Sequence, residues 1–257
     1  MRSAPGSMIA PVQRSVAQRR GSAAPPTQQE CSLRRLAALA GDDCEAVQRL
    51  RPAIEGARYL PPGYELQGDG QRVGAPLIIV SGWAARVKLL PNGKRQVLCF
   101  ILPGDLVGLC DHRAPVATCS IVSLSEMTVG AAPPADDCGA LRRVYASVRA
   151  LDEAVLLAQI VRLGRLSARE RLSDLLLELH DRLEPCGLAR DGRFPLPLTQ
   201  ETMADALGLT TVHFNRMLQT VRRAGELEWR GGSAYLPDRA ALARKLGRQA
   251  GSPAAMN

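Results

Sequence analysis

The chain has 257 residues, of which 46% are hydrophobic and 23% charged, and these values suit two modest folded domains. Its formal net charge of +8 favours an anionic partner. No run of about 18 apolar residues is present and the N-terminus lacks the apolar core of an export signal, so we expect a cytoplasmic protein with no membrane partner.

The first half of the chain predicts a disordered tail followed by a helix and a β-domain. Residues 1–29 are rich in Ala, Ser, Pro, Gln and Arg, which favours disorder. Cys31–Leu50 reads as one helix, and from Arg58 onwards the apolar residues alternate as they do in strands. Gly and Pro turns separate the predicted strands, which are Leu77–Val80, Trp83–Leu90, Lys94–Leu102, Ala117–Leu124 and Glu126–Ala131. This pattern predicts an antiparallel β-roll of the jelly-roll type over residues 30–134.

A long helix is predicted over residues 135–164. Its apolar residues recur every three or four positions, as in a coiled-coil seam: Leu141, Val144, Val148, Leu151, Val155 and Ala158. The seam favours a homodimer held by a parallel helix pair, with Tyr145, Leu156 and Ile160 facing the β-domain. The alternative is a helix that packs on its own β-domain. A further helix, Ser167–Leu183, leads into the C-terminal domain, residues 165–257.

The C-terminal domain has the spacing of a winged helix-turn-helix. A first helix opens at Thr199 and stops at Gly208, and a second helix begins near Thr210. The second helix is predicted to bury Val212, Met217, Leu218 and Val221. A hairpin, the wing, then turns at residues 230–233.

The outward side of this domain carries residue types that bind DNA. Arginine can bond guanine, Asn and Gln can bond adenine, and hydroxyl groups can bond phosphate. The predicted DNA-binding residues are Thr199, Gln200, Thr210, Thr211, His213, Asn215, Arg216, Gln219, Arg222 and Ser233.

Helix, β-roll, long helix and winged helix-turn-helix together resemble the Crp/Fnr family of bacterial transcription regulators. The resemblance covers about residues 31–245 and is strongest at GWAARVKLLPNGKRQVLCFILPGDLVG, residues 82–108, and at residues 198–236. It implies an α+β fold with a cyclic-nucleotide-binding-like β-roll, and a homodimer that places one recognition helix in each of two successive major grooves. Double-stranded DNA is then the main partner, and activation would add contact with RNA polymerase. The resemblance also makes Arg216, which matches the Arg at the end of the family's recognition motif, the strongest single candidate for a base contact.

The effector site implied by the resemblance contains Gly104, Asp105 and Gly108 of a G-D-x-x-G signature. Family members that bind cyclic nucleotides have a Glu soon after this signature and an Arg for the phosphate. Here Leu109 occupies the position of the Glu and no Arg follows in register, which argues against cyclic AMP. Arg113 is the one candidate for a displaced substitute for the missing Arg, and it is the weaker interpretation. No cofactor is expected and no particular effector is indicated.

Other functions are less well supported by the sequence. Cys110, His112 and Cys119 could bind a metal or sense redox state, although isolated cysteines in strands usually serve packing. The sequence has no enzyme motif, so we do not expect an enzyme. The remaining alternative is a dimeric β-roll that senses a ligand or redox state without specific DNA binding.

Overall fold

The computed structural model describes residues 28–41, 43–110 and 112–248. The tail predicted over residues 1–29 lies outside these ranges except for its last two positions. None of the helices in the described ranges is long and apolar enough to cross a membrane.

The N-terminal region contains two helices rather than the single one predicted over Cys31–Leu50. Helix α1 spans Gln28–Ala40 and helix α2 spans Cys44–Glu55. Gly41 interrupts them with a φ of +60°, and the Asp43 side chain then caps α2 by accepting a hydrogen bond from the amide of Glu45 at 3.2 Å. The prediction of one helix was wrong because apolar spacing continues across this break.

The β-roll consists of two four-stranded antiparallel sheets, which confirms the predicted fold class. Their strands are β1 Arg58–Leu60, β2 Glu65–Gln67, β3 Leu77–Ser81, β4 Ala84–Leu89, β5 Arg95–Ile101, β6 Leu106–Val107, β7 Ser120–Ser123 and β8 Met127–Ala131. One sheet has the order β1-β8-β3-β6 and the other β2-β7-β4-β5. Buried residues such as Ile79, Ile101 and Ile121 fill the space between them. The strands β1, β2 and β6 are too short to be detected from periodicity.

Strand β4 is covered on both faces. Ala84 contributes to the core of the roll, whereas Trp83, Ala85 and Val87 belong to a core shared with the C-terminal domain. These last three residues alternate along the chain, as side chains on one face of a strand do, and they are all buried. Leu89, the next residue in this alternation, is 66% exposed where β4 runs into its hairpin turn.

Two helices link the roll to the C-terminal domain: α3 spans Gly139–Arg165 and α4 spans Ala168–Leu183. Ser167 and Glu170 form a capping box at the start of α4. The predicted seam of α3 does not stay free, because Leu141, Val144 and Val148 are buried in a core with α1, α2 and β3.

The exposed apolar residues of α3 lie elsewhere on the helix. Leu157, Ile160 and Val161 are 55%, 66% and 57% exposed. The predicted assignment of the two faces of α3 is therefore wrong in part: Tyr145 is buried as expected, whereas Ile160, also expected against the β-domain, is exposed. Periodicity finds both apolar faces but does not tell which one the chain itself covers.

The C-terminal domain contains three further helices and a small sheet. Its elements are β9 Arg193–Pro195, α5 Gln200–Leu207, α6 Thr211–Arg223, β10 Glu228–Arg230, β11 Ser233–Tyr235 and α7 Arg239–Lys245. The three strands pair in the order β10-β11-β9, and the turn between β10 and β11 is the predicted wing. Its core continues into Phe100 and Leu102 of the roll, so the two domains share one apolar interface.

Candidate nucleic-acid interface

The helix-turn-helix is built from two capped helices and a left-handed glycine. The Thr199 side chain accepts a hydrogen bond from the amide of Thr202 at 3.0 Å, and that of Thr210 accepts one from the amide of His213 at 3.2 Å. Between the helices, Gly208 has a φ of +65°, a conformation that L side chains rarely adopt. These local interactions set the start of α6 and its angle to α5.

Helix α6 is anchored by one strongly apolar face. Phe214, Met217, Leu218 and Val221 are buried, and the Phe214 ring meets the Trp229 ring of the wing edge-on at 6.4 Å between centroids. Val212 was predicted to belong to this face, and that prediction was wrong because Val212 is 72% exposed. Phe214 takes the buried position instead.

The structure brings most of the predicted DNA-binding residues onto one exposed surface. Six of those on α6 and its cap are exposed, namely Thr210, Thr211, His213, Asn215, Arg216 and Gln219, whereas Arg222 is half-buried. Thr199 and Gln200 are exposed at the start of α5, where free backbone amides favour an anion such as phosphate. Hydroxyl, amide, imidazole and guanidinium groups are the types that bond the bases and backbone of DNA.

Two predicted residues have a second role within the protein. The Arg222 guanidinium donates a hydrogen bond to the carbonyl of Trp229 at 2.7 Å, and the Ser233 hydroxyl donates one to the carbonyl of Phe194 at 3.3 Å. Arg222 therefore ties α6 to the wing, and Ser233 holds the wing against β9.

The effector residues predicted from the G-D-x-x-G signature do not form one site. The Asp105 carboxylate is buried, pairs with the guanidinium groups of Arg35 and Arg182, and accepts a hydrogen bond from the amide of Leu102 at 2.7 Å. Burial acts to raise the pKa of Asp105, but the charges of Arg35 and Arg182 outweigh it and hold that pKa below the usual value. Asp105 is a structural residue, contrary to the sequence prediction.

The other three candidates do not join Asp105 in an open ligand site. Gly104 lies against Arg35, so that a Cβ there would come within 2.7 Å of the Arg35 Cδ. Gly108 lines a different space, a cleft of about 220 Å³ that also includes Gln67, Gln71 and Arg72. Arg113 is exposed. The signature residues therefore divide between a buried contact and an open cleft.

An ion pair joins the roll to α3. Arg86 on β4 is 2.6 Å from the Asp152 carboxylate of α3, and it also contacts the Cys99 sulfur at 3.4 Å. Burial raises the pKa of the Cys99 thiol, since the opposing effect of Arg86 is smaller. Cys99 is thus held in its neutral, unreactive form.

Sequence reasoning missed a buried ion-pair network between the two domains. Arg162 on α3 is 2.8 Å from the Asp174 carboxylate and 2.5 Å from that of Glu178. Glu178 also pairs with Arg182 at 3.3 Å, and Arg182 continues the network to Asp105. The spacing of Glu178 and Arg182, four residues apart on one helix, was the only local signal for it.

The predicted metal or thiol set is not assembled. Within the described ranges, the one group of His, Cys, Asp and Glu ligands close enough to share a metal ion is His180, Asp181 and Glu184, so Cys110, His112 and Cys119 do not meet that criterion. At His180, the Arg239 guanidinium already contacts the imidazole at 3.1 Å and the Asp181 carboxylate at 2.9 Å. An arginine thus supplies the positive charge that a metal would bring.

Comparison with known protein families agrees with both domains. Residues 170–245 match the Crp-like helix-turn-helix domain, and residues 57–136 match the cyclic nucleotide-binding domain. Together these matches cover the roll and the candidate interface.

Known relatives are similar over most of their length. The nitrogen fixation regulation protein FixK of Bradyrhizobium diazoefficiens is 32% identical over 166 residues, which are 62% of this chain and 69% of that protein. The transcriptional activator protein FnrL of Cereibacter sphaeroides is 26% identical over 214 residues, 79% of this chain and 84% of that protein. Among solved structures, FixK2 from Bradyrhizobium japonicum superposes with a TM-score of 0.63 at 26% identity, covering 73% of this chain and 96% of that one.

Proposed function

This chain belongs to the Crp/Fnr family of DNA-binding transcription regulators, and we propose that it binds an inverted repeat as a homodimer without cyclic AMP as an effector. The observation that carries this proposal is the outward face of α6, where Arg216 and its polar neighbours are exposed on a helix anchored by Phe214. Similarity to FixK and FnrL favours this function over a β-roll module without specific DNA binding.

Dimerisation is supported by the exposed apolar side of α3. Ile160 and Val161 follow Leu157 by three and four positions, which places all three on one side of the last turns of the helix. Each is more than half exposed. Apolar groups clustered in this way mark a protein interface. A second copy of the chain, presenting the same stripe, would cover them and hold two α6 helices in a two-fold arrangement.

Independence from cyclic AMP is supported by the roll. Leu109 offers no acceptor for sugar hydroxyls, Asp105 is engaged with two arginines, and Arg86 of the roll is paired with Asp152 of α3. The chain's own residues thus join the roll to the long helix, without cyclic AMP.

The cellular setting belongs to the same proposal. A regulator that binds promoters acts in the cytoplasm of a bacterial cell, and the name of FnrL, a transcriptional activator, supports RNA polymerase as a further partner.

Selection of bound duplexes from a random pool, at near-physiological salt and without added ligand, tests the proposal. We expect an inverted repeat whose half-sites are about 34–36 Å apart. Cyclic AMP should leave the affinity unchanged. The proposal fails if no duplex is enriched, or if the enriched sites have a single unrepeated half-site.

Arg216→Ala and a matched control sharpen the test. Loss of the guanidinium should reduce discrimination at one base pair of each half-site by about 1–3 kcal/mol. Arg51→Ala removes an exposed arginine of α2, far from the interface in the fold, and should bind as the unchanged protein does. Equal sequence preference in Arg216→Ala and Arg51→Ala would exclude Arg216 as a base-reading residue.

A further inference from the structure

The outward side of α6 carries a single straight stripe. Val212, Arg216, Gln219 and Arg223 are spaced by four, three and four residues, which places them along one line of an α-helix. Phe214, Val221 and the rest of the buried face lie on the opposite side. The stripe is therefore the part of α6 that projects farthest from the protein.

Val212 is the apolar member of this stripe. It is 72% exposed, whereas the other exposed positions of α6 are polar or charged. A β-branched residue is a weaker helix former than most of the polar residues that could stand there, so neither packing nor helix stability accounts for it. Single exposed apolar residues are common on protein surfaces, but this one is the second residue of the recognition helix. The N-terminal residues of such a helix contact base edges.

We propose that Val212 contacts the 5-methyl group of a thymine in each half-site. In the major groove, the thymine methyl is the apolar group that side chains can recognise. Residues 212 and 216 are four residues apart, about 6 Å along the helix axis, and successive base pairs are about 3.4 Å apart. The thymine therefore lies one or two base pairs from the base that Arg216 reads. This inference rests on the proposed function and assigns one base of the half-site that the protein would bind.

The experiment replaces thymine by uracil, one position at a time, in a duplex recovered by selection. This change removes the methyl group and keeps every hydrogen-bonding group of the base pair. We expect one position in each half-site to lose about fourfold in affinity, the effect of uncovering one methyl group.

The variants Val212→Ala and Val212→Thr connect that position to the side chain. In Val212→Ala, thymine and uracil should bind equally at the sensitive position, and Val212→Thr should retain only part of the preference because a hydroxyl replaces one methyl. Val116→Ala, the same truncation at a valine of the roll that is 59% exposed, should keep the full fourfold preference.

The outcomes separate this inference from the function on which it rests. Specific binding with no uracil-sensitive position, or with a sensitivity that survives Val212→Ala, would overturn the thymine contact alone. Absence of specific binding to any duplex would overturn the proposed function, and the thymine contact with it.

Discussion

Replacement of Asp105 by Asn tests whether the buried ion pairs hold the two domains together. The substitution keeps the size of the side chain but removes the negative charge between Arg35 and Arg182. The two guanidinium groups are 11% and 6% exposed, so water cannot substitute for the lost carboxylate. Removal of one partner from a buried pair costs about 3–5 kcal/mol.

A loss of this size is large against the total stability of a folded domain, about 5–15 kcal/mol. With a urea m-value of about 2–3 kcal/mol/M, the midpoint of unfolding should fall by about 1–2 M. The matched control is Asp69→Asn, whose carboxylate pairs with Lys88 at 2.6 Å while both side chains are about 40% exposed. That exposed pair should contribute about 1 kcal/mol or less.

The two tryptophans of the chain report on opposite sides of the apolar core that the two domains share. Trp83 lies in the roll and Trp229 in the wing, so Trp83→Phe and Trp229→Phe each leave one fluorescent reporter. Because Arg182 bonds both Asp105 and the carbonyl of Phe100, we expect Asp105→Asn to lower the midpoint of both reporters. Equal midpoints for Asp105→Asn and Asp69→Asn, or a shift confined to the Trp83 reporter, would refute the reasoning.

Three further results are expected. The lowered pKa of Asp105 means that its carboxylate binds a proton more weakly in the folded chain than in the unfolded one. The carboxylate therefore stabilises the fold above about pH 4, and this contribution is lost on further acidification. When the unfolding free energy is measured against falling pH, its decrease should be steeper for the unchanged protein than for Asp105→Asn. Leu157→Glu should convert the dimer to monomers in sedimentation equilibrium, while Leu89→Glu, a similarly exposed site on the roll, should not. A dimeric Leu157→Glu would exclude this stripe of α3 as the dimer interface. Thr210→Ala removes the cap of α6 and should cost about 1 kcal/mol in thermal unfolding, whereas Thr210→Ser should cost little; equal losses would exclude capping as the cause.

The amino-acid sequence by itself determined the elements whose signals are local. The Pro91–Gly93 turn between two strands, the caps at Ser167, Thr199 and Thr210, and the sharp stop at Gly208 each depend on a few neighbouring residues. Interactions of this range keep their form in any surrounding fold, so the winged helix-turn-helix was recognisable before its packing was known.

The tertiary structure alone decided which surfaces are covered. Apolar spacing on α3 is compatible with either of two faces, and contact with α1 and α2 selected the one that contains Val144. On α6, Phe214 rather than Val212 meets Trp229, which left the valine outside. Periodicity reports that a face is apolar, whereas the partner of that face comes from a distant part of the chain.

The same limit applies to charge. Asp105 belongs to a signature that resembles an effector site, and its sequence neighbours do not reveal the two arginines that bind it, because Arg35 and Arg182 are 70 and 77 residues away. Whether a carboxylate is free for a ligand or holds two domains together depends on the charges that folding brings within about 4 Å of it.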